Sequence, residues 1–284
     1  MKYASGPGRK AFQTLNALLL SLTCLSILLP IWMVLATSVS PNAQVIRESY
    51  VFFPSAVDLS YYRSVLQSGY FSAFLRSIAV TVAGTVASMA LTLPMGYALA
   101  QKDLWGRSFF LKMVLLTMLF DGGIIPFYMV VRNLGLIDSY AALVLPVALS
   151  TYNLILVKNY MASIPPSLID AGRIDGCGEM RILAYVILPV STPILAAVGL
   201  FYAVTYWNTY FEVVMFINSS SKYTLQVLLR QLIFESESIT SGAEQIYNNF
   251  KMTVMVMAVL PIALIYPYIQ RHFVTGLMLG SLKE

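Results

Sequence analysis

The sequence predicts an all-α, polytopic membrane protein with six transmembrane helices, and two observations carry this prediction. Hydrophobic residues make up 58% of the 284 positions and charged residues only 11%, whereas about a quarter of residues are charged in soluble domains. The hydrophobic residues also collect in long runs, and the mean hydropathy of the chain is +0.74. The sequence shows no interleaved aromatic and basic residues, no glycine-rich phosphate loop and no internal repeat. A nucleic-acid partner is therefore not expected.

The first apolar run, residues 15–36, predicts a membrane-spanning helix of about 33 Å, because each helical residue rises by about 1.5 Å. Residues 1–14 form a polar segment before it. A cleaved signal peptide is the alternative, since basic residues precede the run and small residues follow it. The run is longer than a signal-peptide core of about 7–15 residues, so we predict an uncleaved anchor.

A polar external segment, residues 37–71, separates the first span from a predicted core at residues 72–271. The core is expected to hold five more spans, whose bounds follow from the apolar runs and are uncertain by a few residues. These spans are residues 72–100, 109–131, 139–157, 186–207 and 252–269. Residues 272–284 are the remaining C-terminal tail.

The lysines and arginines predict that both termini lie in the cytoplasm, because basic residues near span ends accumulate on that side. The short outer turn at residues 132–138 holds only Arg132. The longer outer segments hold more, but long segments cross the membrane regardless of charge. The segments assigned to the inside hold Lys2, Arg9, Lys10, Lys102, Arg107, Arg173, Arg181, Arg271 and Lys283.

A polar, glycine-containing loop at residues 163–189 falls on the predicted cytoplasmic side and reads as two short helices. Pro165 and Pro166 suit a first helical turn, where a missing N–H has no consequence. Gly176 and Gly178 are expected to end that helix. The second helix, from residue 179, is predicted to bury the stripe Met180, Leu183, Ala184 and Ile187, and Pro189 is expected to mark an elbow into the next span.

The spacing in this loop resembles the EAA loop of ABC importer permeases. It runs Asp170-Ala171-Gly172, three residues, Gly176, nine residues, Val186, and then Leu188-Pro189. The family pattern has Glu, Ala and Ile where this chain has Asp170, Gly172 and Val186, all of which are mild changes. An ordinary amphipathic cytoplasmic loop is the alternative.

In that family the loop forms a coupling helix that docks on the ATP-hydrolysing subunit. The resemblance therefore implies an ATPase-coupling role for Asp170, Ala171, Gly172, Arg173, Asp175 and Gly176. The small residues among them would let a partner approach the helix backbone closely.

Further stretches resemble the shorter, six-span permease of maltose-type sugar importers. They are Trp207-Asn208, residues 122–126 with residues 135–137, and residues 271–277. Taken together, these stretches make the sequence most similar to permeases for oligosaccharides released from plant or algal polysaccharides. The resemblance implies a bacterial cell membrane location, a second permease subunit in a heterodimer, two ATP-binding subunits, and an extracellular or periplasmic sugar-binding protein. Membrane lipid would surround the spans.

This chain lacks a nucleotide-binding motif, so we expect it to be no enzyme and to bind no cofactor itself. ATP and Mg would bind the partner ATPase subunits. Cys24 lies in the first span and Cys177 in the loop, too far apart for a disulfide. His272 stands alone, which argues against a metal site or histidine catalysis.

Two groups are candidates for a substrate path. Asp121 lies near the middle of the third run and precedes Gly122 and Gly123, which suggests a broken helix. An unpaired charge at this depth costs at least about 2.5 kcal/mol. Asp121 therefore either lines a path, or is a structural acid that pairs with a neighbouring helix or with backbone groups freed by the glycines. The second group either anchors the span at the membrane interface or stacks on sugars, and comprises Tyr206, Trp207, Asn208 and Tyr210.

The outer segment at residues 208–251 is too long for a simple turn. An amphipathic helix is predicted within it, with its apolar side formed by Leu225, Leu228, Leu229 and Leu232. A flexible polar tip precedes this helix. The tip either packs on the neighbouring permease or membrane, or contacts the sugar-binding protein, and consists of Ser219, Ser220, Ser221 and Lys222.

Three other functions are open at this point. An amino-acid or peptide importer would share the EAA loop. An ion-coupled secondary transporter would predict repeated halves or an ion site, and no such repeat is visible. A membrane enzyme would need a catalytic constellation that the sequence does not show.

Overall fold

A computed structural model of the chain describes residues 7–48, 51–120, 122–238 and 244–281, and within these ranges it contains helices and no β-strand. Three helices are long and apolar enough to cross a membrane on their own: α1 (Pro7–Ser38), α4 (Gly69–Ala100) and the residues Asn248–Pro267 of α15 (Glu244–Ser281). Three bent helix pairs bring the number to six if each pair is one span. The prediction of an all-α protein with six spans is confirmed in this sense.

A glycine, a proline or a serine lies at or beside the break in each bent pair. The first pair is α5 (Arg107–Leu119) and α6 (Ile124–Asn133). The second joins α7 (Ala141–Val144) and the 3₁₀ turn Leu145–Val147 to α8 (Thr151–Ala162) with a bend of 50°. In the third, the segment Glu179–Val190 meets α12 (Thr192–Trp207) at 90°. The break predicted beside Asp121 and the elbow predicted at Pro189 are thus both observed, the latter two residues later at Ser191.

The chain divides into two compact units. The first comprises residues 1–71 and 229–258. Two short helices, α2 (Asn42–Arg47) and α3 (Ser60–Leu66), lie in the predicted external segment of this unit. The amide of Asn249 donates to the carbonyls of Thr37 and Ser40 at 3.1 and 2.8 Å and so fastens the end of α1. The membrane-spanning part of α1 is otherwise exposed in this chain.

The second unit comprises residues 72–228 and 259–284 and is built around α4. Two tyrosines of α12 reach hydroxyls on α4: Tyr202 lies 2.7 Å from Thr92 and Tyr206 lies 2.8 Å from Ser88. The backbone N–H of Ser150, the N-cap of α8, also donates to the Tyr202 hydroxyl at 3.1 Å. These bonds satisfy polar groups in a nonpolar setting and fix α12 and α8 to α4.

The remaining helices belong to the two loops with predicted functions. On the predicted cytoplasmic side these are α9 (Pro166–Ile174), α10 (Glu179–Ile182), the π turn Leu183–Ile187 and α11 (Leu188–Val190). On the predicted outer side they are α13 (Phe211–Phe216), the 3₁₀ turn Ser220–Lys222 and α14 (Leu225–Ser238). The helix predicted within residues 208–251 is observed as α14. Leu225 and Leu232 of its predicted apolar side are buried, Leu228 and Leu229 are half-buried, and Val227 is buried as well.

Candidate functional site

The predicted coupling helix α9 begins and ends where the sequence indicates. Pro166 occupies its first turn. At the other end Gly176 has a φ of +78°, a left-handed conformation in which glycine carries no steric penalty. The N–H of Gly176 donates to the carbonyl of Arg173 at 3.0 Å, and the N–H of Cys177 to that of Gly172 at 2.9 Å. This pair of bonds is a Schellman motif, which satisfies the last helical carbonyls.

Gly172 takes part in close packing within the chain. It is buried, and a Cβ at this position would lie 3.1 Å from Cγ1 of Ile182 and 4.0 Å from Cγ2 of Val186. The glycine therefore lets α9 lie close against the following segment, while its coupling role stays a prediction. The other predicted coupling residues form an exposed face of α9 and its C-terminal end: Asp170, Ala171, Arg173, Asp175 and Gly176.

A chain of three side chains joins α9 to the core helix α4. Nη2 and Nε of Arg173 lie 2.9 and 3.0 Å from Oε1 of Glu179. The other oxygen of Glu179 accepts a hydrogen bond of 2.7 Å from the hydroxyl of Tyr97, which is buried on α4. The hydrogen bond to Glu179 also raises the pKa of the Arg173 guanidinium. Asp170 adds a longer contact of 3.8 Å to Arg173.

The segment after α9 buries a different stripe from the one predicted. Leu183 and Ile187 are buried as expected, but Met180 is 67% exposed, and Ile182 is buried in its place. Ala184 is also exposed. A π turn at Leu183–Ile187 interrupts the α-helical spacing on which the predicted stripe relied.

Asp121 lies outside the described residues. On either side of it, α5 ends at Leu119 and α6 begins at Ile124 after Gly123, whose φ is +79°. The break in the helix is thus observed, while the role of Asp121 stays a prediction.

The aromatic cluster at the end of α12 mainly holds helices together. Tyr206 and Trp207 are 3% and 4% exposed. The Tyr206 ring packs on Gly84, where a Cβ would lie 2.7 Å from the ring carbons. The Trp207 ring meets Phe74 edge-on with centroids 5.8 Å apart. Both rings therefore have little surface available to a sugar in this conformation, and their role in a substrate path remains untested.

The two other members of this cluster are more accessible. Asn208 is exposed, and its amide donates to the carbonyl of Val204 at 2.9 Å, which closes the end of α12. Tyr210 is half-buried against the core of the second unit. A nearby cleft of about 440 Å³ between α4, α12 and α15 is lined almost entirely by apolar side chains, including Trp207. Such a lining suits hydrocarbon better than the hydroxyl groups of a sugar.

The predicted outer tip is anchored rather than flexible. Asp138 Oδ1 accepts hydrogen bonds from the N–H groups of Asn218 and Ser219 at 3.0 and 2.9 Å. Its Oδ2 accepts from the Ser219 hydroxyl at 2.8 Å and forms an ion pair of 2.7 Å with Lys222. These bonds, that to Lys222 above all, hold the pKa of the Asp138 carboxyl well below its usual range. The remaining tip residues, Ser220 and Ser221, are exposed.

The other end of this outer turn is fastened to α4. Nε of Arg76 donates to the carbonyl of Tyr223 at 2.9 Å, and the hydroxyl of Ser77 accepts from the N–H of Leu225 at 2.9 Å. Sequence reasoning missed Asp138 and Arg76. In the sequence, Asp138 is a single acid in a short outer turn, and Arg76 is a single base near one end of an apolar run. Neither feature indicates which residue the side chain would contact.

The chain matches the family described as "binding-protein-dependent transport system inner membrane component" over residues 2–278. It is 41% identical over 274 residues to the polygalacturonan/rhamnogalacturonan transport system permease protein YtcP of Bacillus subtilis, covering 94% of this chain and 95% of that protein. It is 37% identical to protein LplC of the same organism, covering 96% of this chain and 95% of LplC.

A similar solved structure is a bacterial ABC transporter involved in the import of the acidic polysaccharide alginate. The TM-score is 0.87 at 30% sequence identity, with 94% of this chain and 98% of that chain covered.

Proposed function

This chain belongs to the family of binding-protein-dependent transport system inner membrane components, and from that membership we propose that it forms half of the path of an ATP-driven importer for an oligosaccharide. The observation that carries the proposal is the 41% identity to YtcP along nearly the full length of both chains. The similarity to the alginate transporter points to the same class of substrate. The chain is thus a multi-pass membrane permease component and not itself the catalyst.

The proposed partners follow from the family description, which makes transport dependent on a binding protein. They are a second permease subunit, two ATP-binding subunits that hold ATP and Mg, and an extracellular or periplasmic sugar-binding protein. Both termini are proposed to be cytoplasmic, so that α9 faces the ATP-binding subunits.

The exposed face of α9 is proposed to dock on an ATP-binding subunit. When ATP binding closes the pair of ATP-binding subunits, α9 would move with its docking site. Arg173 and Glu179 would pass that movement to Tyr97 and hence to α4, since these three side chains are joined by contacts of 2.7–3.0 Å. This is an alternating-access mechanism, in which movement of the core helices opens the outer side.

The outer end of α4 is fastened to the turn at residues 218–225 through Arg76 and Ser77. Tyr97 and Arg76 are 21 residues apart on this helix, a distance of about 31 Å at 1.5 Å per residue. One continuous helix would therefore link the ATPase side to the turn proposed to contact the sugar-binding protein. The anchoring of this turn by Asp138 supports a preformed contact rather than a flexible one.

Reconstitution tests the proposed function. The chain is co-purified with its partner permease and ATP-binding subunits, placed in proteoliposomes, and supplied with the binding protein loaded with oligosaccharides, amino acids or dipeptides. We expect ATP hydrolysis and uptake only with an oligosaccharide. Stimulation by an amino acid or a dipeptide, with none by any oligosaccharide, would overturn the proposal.

A further inference from the structure

We propose that Arg76, oriented by the backbone carbonyl of Tyr223, binds the carboxylate of an acidic, uronate-containing oligosaccharide as it enters from the outer side. This inference rests on the proposed function and narrows its substrate class. It concerns a residue on α4 that neither the sequence patterns nor the family match assigns to a site.

Within the described part of the chain, the guanidinium of Arg76 uses only one of its hydrogen-bond donors. Its Nε donates to the carbonyl of Tyr223 at 2.9 Å. Among the described residues no carboxylate forms an ion pair with it. A guanidinium has five N–H donors, so the two Nη groups keep their donors for an incoming ligand. Their fork matches the two oxygens of a carboxylate in a bidentate arrangement.

The neighbouring charge does not neutralise Arg76. Asp138, which holds the outer turn, is already paired with Lys222 at 2.7 Å and accepts three hydrogen bonds from Asn218 and Ser219. The sum over Arg76, Lys222 and Asp138 is one net positive charge. A half-buried cation near the end of a membrane helix is costly unless it is paired or functional, and an anionic ligand would complete the pair.

Two tyrosines belong to the same part of the second unit. Tyr223 supplies the backbone carbonyl that orients the Arg76 guanidinium. Tyr223 and Tyr140 are both partly buried against the core of the second unit. A tyrosine offers a ring face for a sugar and a hydroxyl that can donate to it.

The names of similar proteins agree with an acidic ligand. One of them is named for the transport of polygalacturonan, and one is involved in the import of an acidic polysaccharide. Every uronate unit of such a chain carries one carboxylate, so a single well-placed arginine would meet a suitable group on any unit that passes. The proposed site would therefore select acidic sugars over neutral ones, without selecting one order of sugar units over another.

The test uses the reconstituted importer with its binding protein and three probes: trigalacturonate, trimannuronate and neutral galactotriose. Arg76→Gln is the main variant, because its side-chain amide can still donate to the Tyr223 carbonyl while the charge is removed. Arg76→Lys keeps the positive charge but lacks the paired Nη groups that a bidentate contact with a carboxylate needs. Arg132→Gln is the matched control, since it removes an exposed arginine at the end of α6.

We expect Arg76→Gln to lower the uptake of the acidic trisaccharide by about 10- to 100-fold, the range for losing a charged hydrogen-bonded pair. Arg76→Lys should fall between this variant and the wild type, and Arg132→Gln should match the wild type. Stimulation of ATP hydrolysis by the loaded binding protein should fall much less than uptake in Arg76→Gln, because the bond between Ser77 and Leu225 still fastens the outer turn.

Three outcomes overturn the inference while leaving the proposed function intact. One is wild-type uptake of galactotriose with no uptake of either acid. The second is undiminished uptake of the acid by Arg76→Gln. The third is joint loss of uptake and ATPase stimulation in that variant, which would make Arg76 a support for the turn alone. Failure of the wild-type importer to take up any sugar would instead overturn the proposed function.

Discussion

At the residue scale, two carboxylates outside the predicted motifs organise the two functional loops. Glu179 connects Arg173 to Tyr97, with contacts of 2.7–3.0 Å on both sides. Asp138 accepts four hydrogen bonds and holds the outer turn. Both acids accept hydrogen bonds from side chains or backbone N–H groups of other segments, and so fix the geometry of the loops.

Replacing Glu179 with Gln or Ala is expected to uncouple transport without unfolding the subunit. The side chains of Arg173 and Glu179 are 43% and 52% exposed, and exposed ion pairs contribute only about 0–1 kcal/mol to stability. Thermal unfolding of the assembled complex should therefore change little, while uptake per ATP hydrolysed should fall severalfold. Tyr97→Phe should show a smaller decrease of the same kind. Uptake per ATP equal to that of the wild type in Glu179→Ala would rule out the connection.

Replacing Asp138 with Asn is expected to loosen the outer turn and weaken stimulation by the loaded binding protein. Stimulation should fall by up to about fivefold, the range for one partly exposed ion pair. Asn tolerates the φ of +60° at this position, so the backbone is conserved and only the charge is lost. Assembly of the complex and basal ATP hydrolysis serve as controls. Unchanged stimulation would show that the ion pair is not needed.

The pH dependence of the turn follows from the lowered pKa of Asp138. A depressed pKa adds stability above the ordinary value of 3.8, and that stability is lost only as the pH falls through the lowered value. A spin label at Ser220→Cys should therefore show constant mobility between pH 9 and 5 and rising mobility only below about 4. Mobility that rises between pH 7 and 5 would contradict the assignment.

At the element scale, α12 is fixed to α4 by close approach as well as by hydroxyl pairs. Gly84 and Gly199 are both glycines within membrane helices, but their surroundings differ. A Cβ at Gly84 would meet the Tyr206 ring at 2.7 Å, whereas nothing lies within 4 Å of one at Gly199. The packing of these two helices therefore depends on one glycine and not on the other.

Gly84→Ala is expected to destabilise the subunit, because the buried Tyr206 ring must move. The expected loss is about 1–3 kcal/mol, the usual range for overpacking. Gly199→Ala is the matched control and should be neutral or slightly stabilising, since alanine is the better helix former. Thermal unfolding of the purified complex in detergent measures both. Equal midpoints for the two variants would contradict the packing described here.

At the scale of the whole molecule, α4 joins both functional loops within the second unit. Tyr97 lies at its inner end and Arg76 near its outer end under the proposed orientation. The proposed orientation places the loops that carry Cys177 and Ser220 on opposite sides of the membrane.

Cys177 is expected to react with an impermeant thiol reagent from the cytoplasmic side alone. The matched control is Ser220→Cys in a chain without Cys24 and Cys177, which should react from outside because Ser220 is exposed. Cys177 is half-buried, so its labelling should be slow in inverted vesicles and slower once the ATP-binding subunits are present. Labelling of Cys177 in intact cells would reverse the proposed orientation.

The sequence alone determined those features that depend on neighbouring residues. The lengths of the apolar runs predicted six spans, because a bilayer core requires about 20 apolar residues per helix. The glycines after Asp121 predicted the helix break, and Gly176 predicted the end of α9, since both depend on local backbone conformation. The amphipathic spacing of α14 is likewise local.

The tertiary structure alone decided which side chains meet. Asp138 and Lys222 are 84 residues apart, and Tyr97 and Glu179 are 82 apart, so no local pattern pairs them. The segment from Glu179 buries Ile182 instead of Met180, and Gly172 and Tyr206 lie in close contacts with neighbouring segments. Contacts of this kind arise from the shape of the folded core, because a side chain's partner is set by how helices pack and not by the residues beside it.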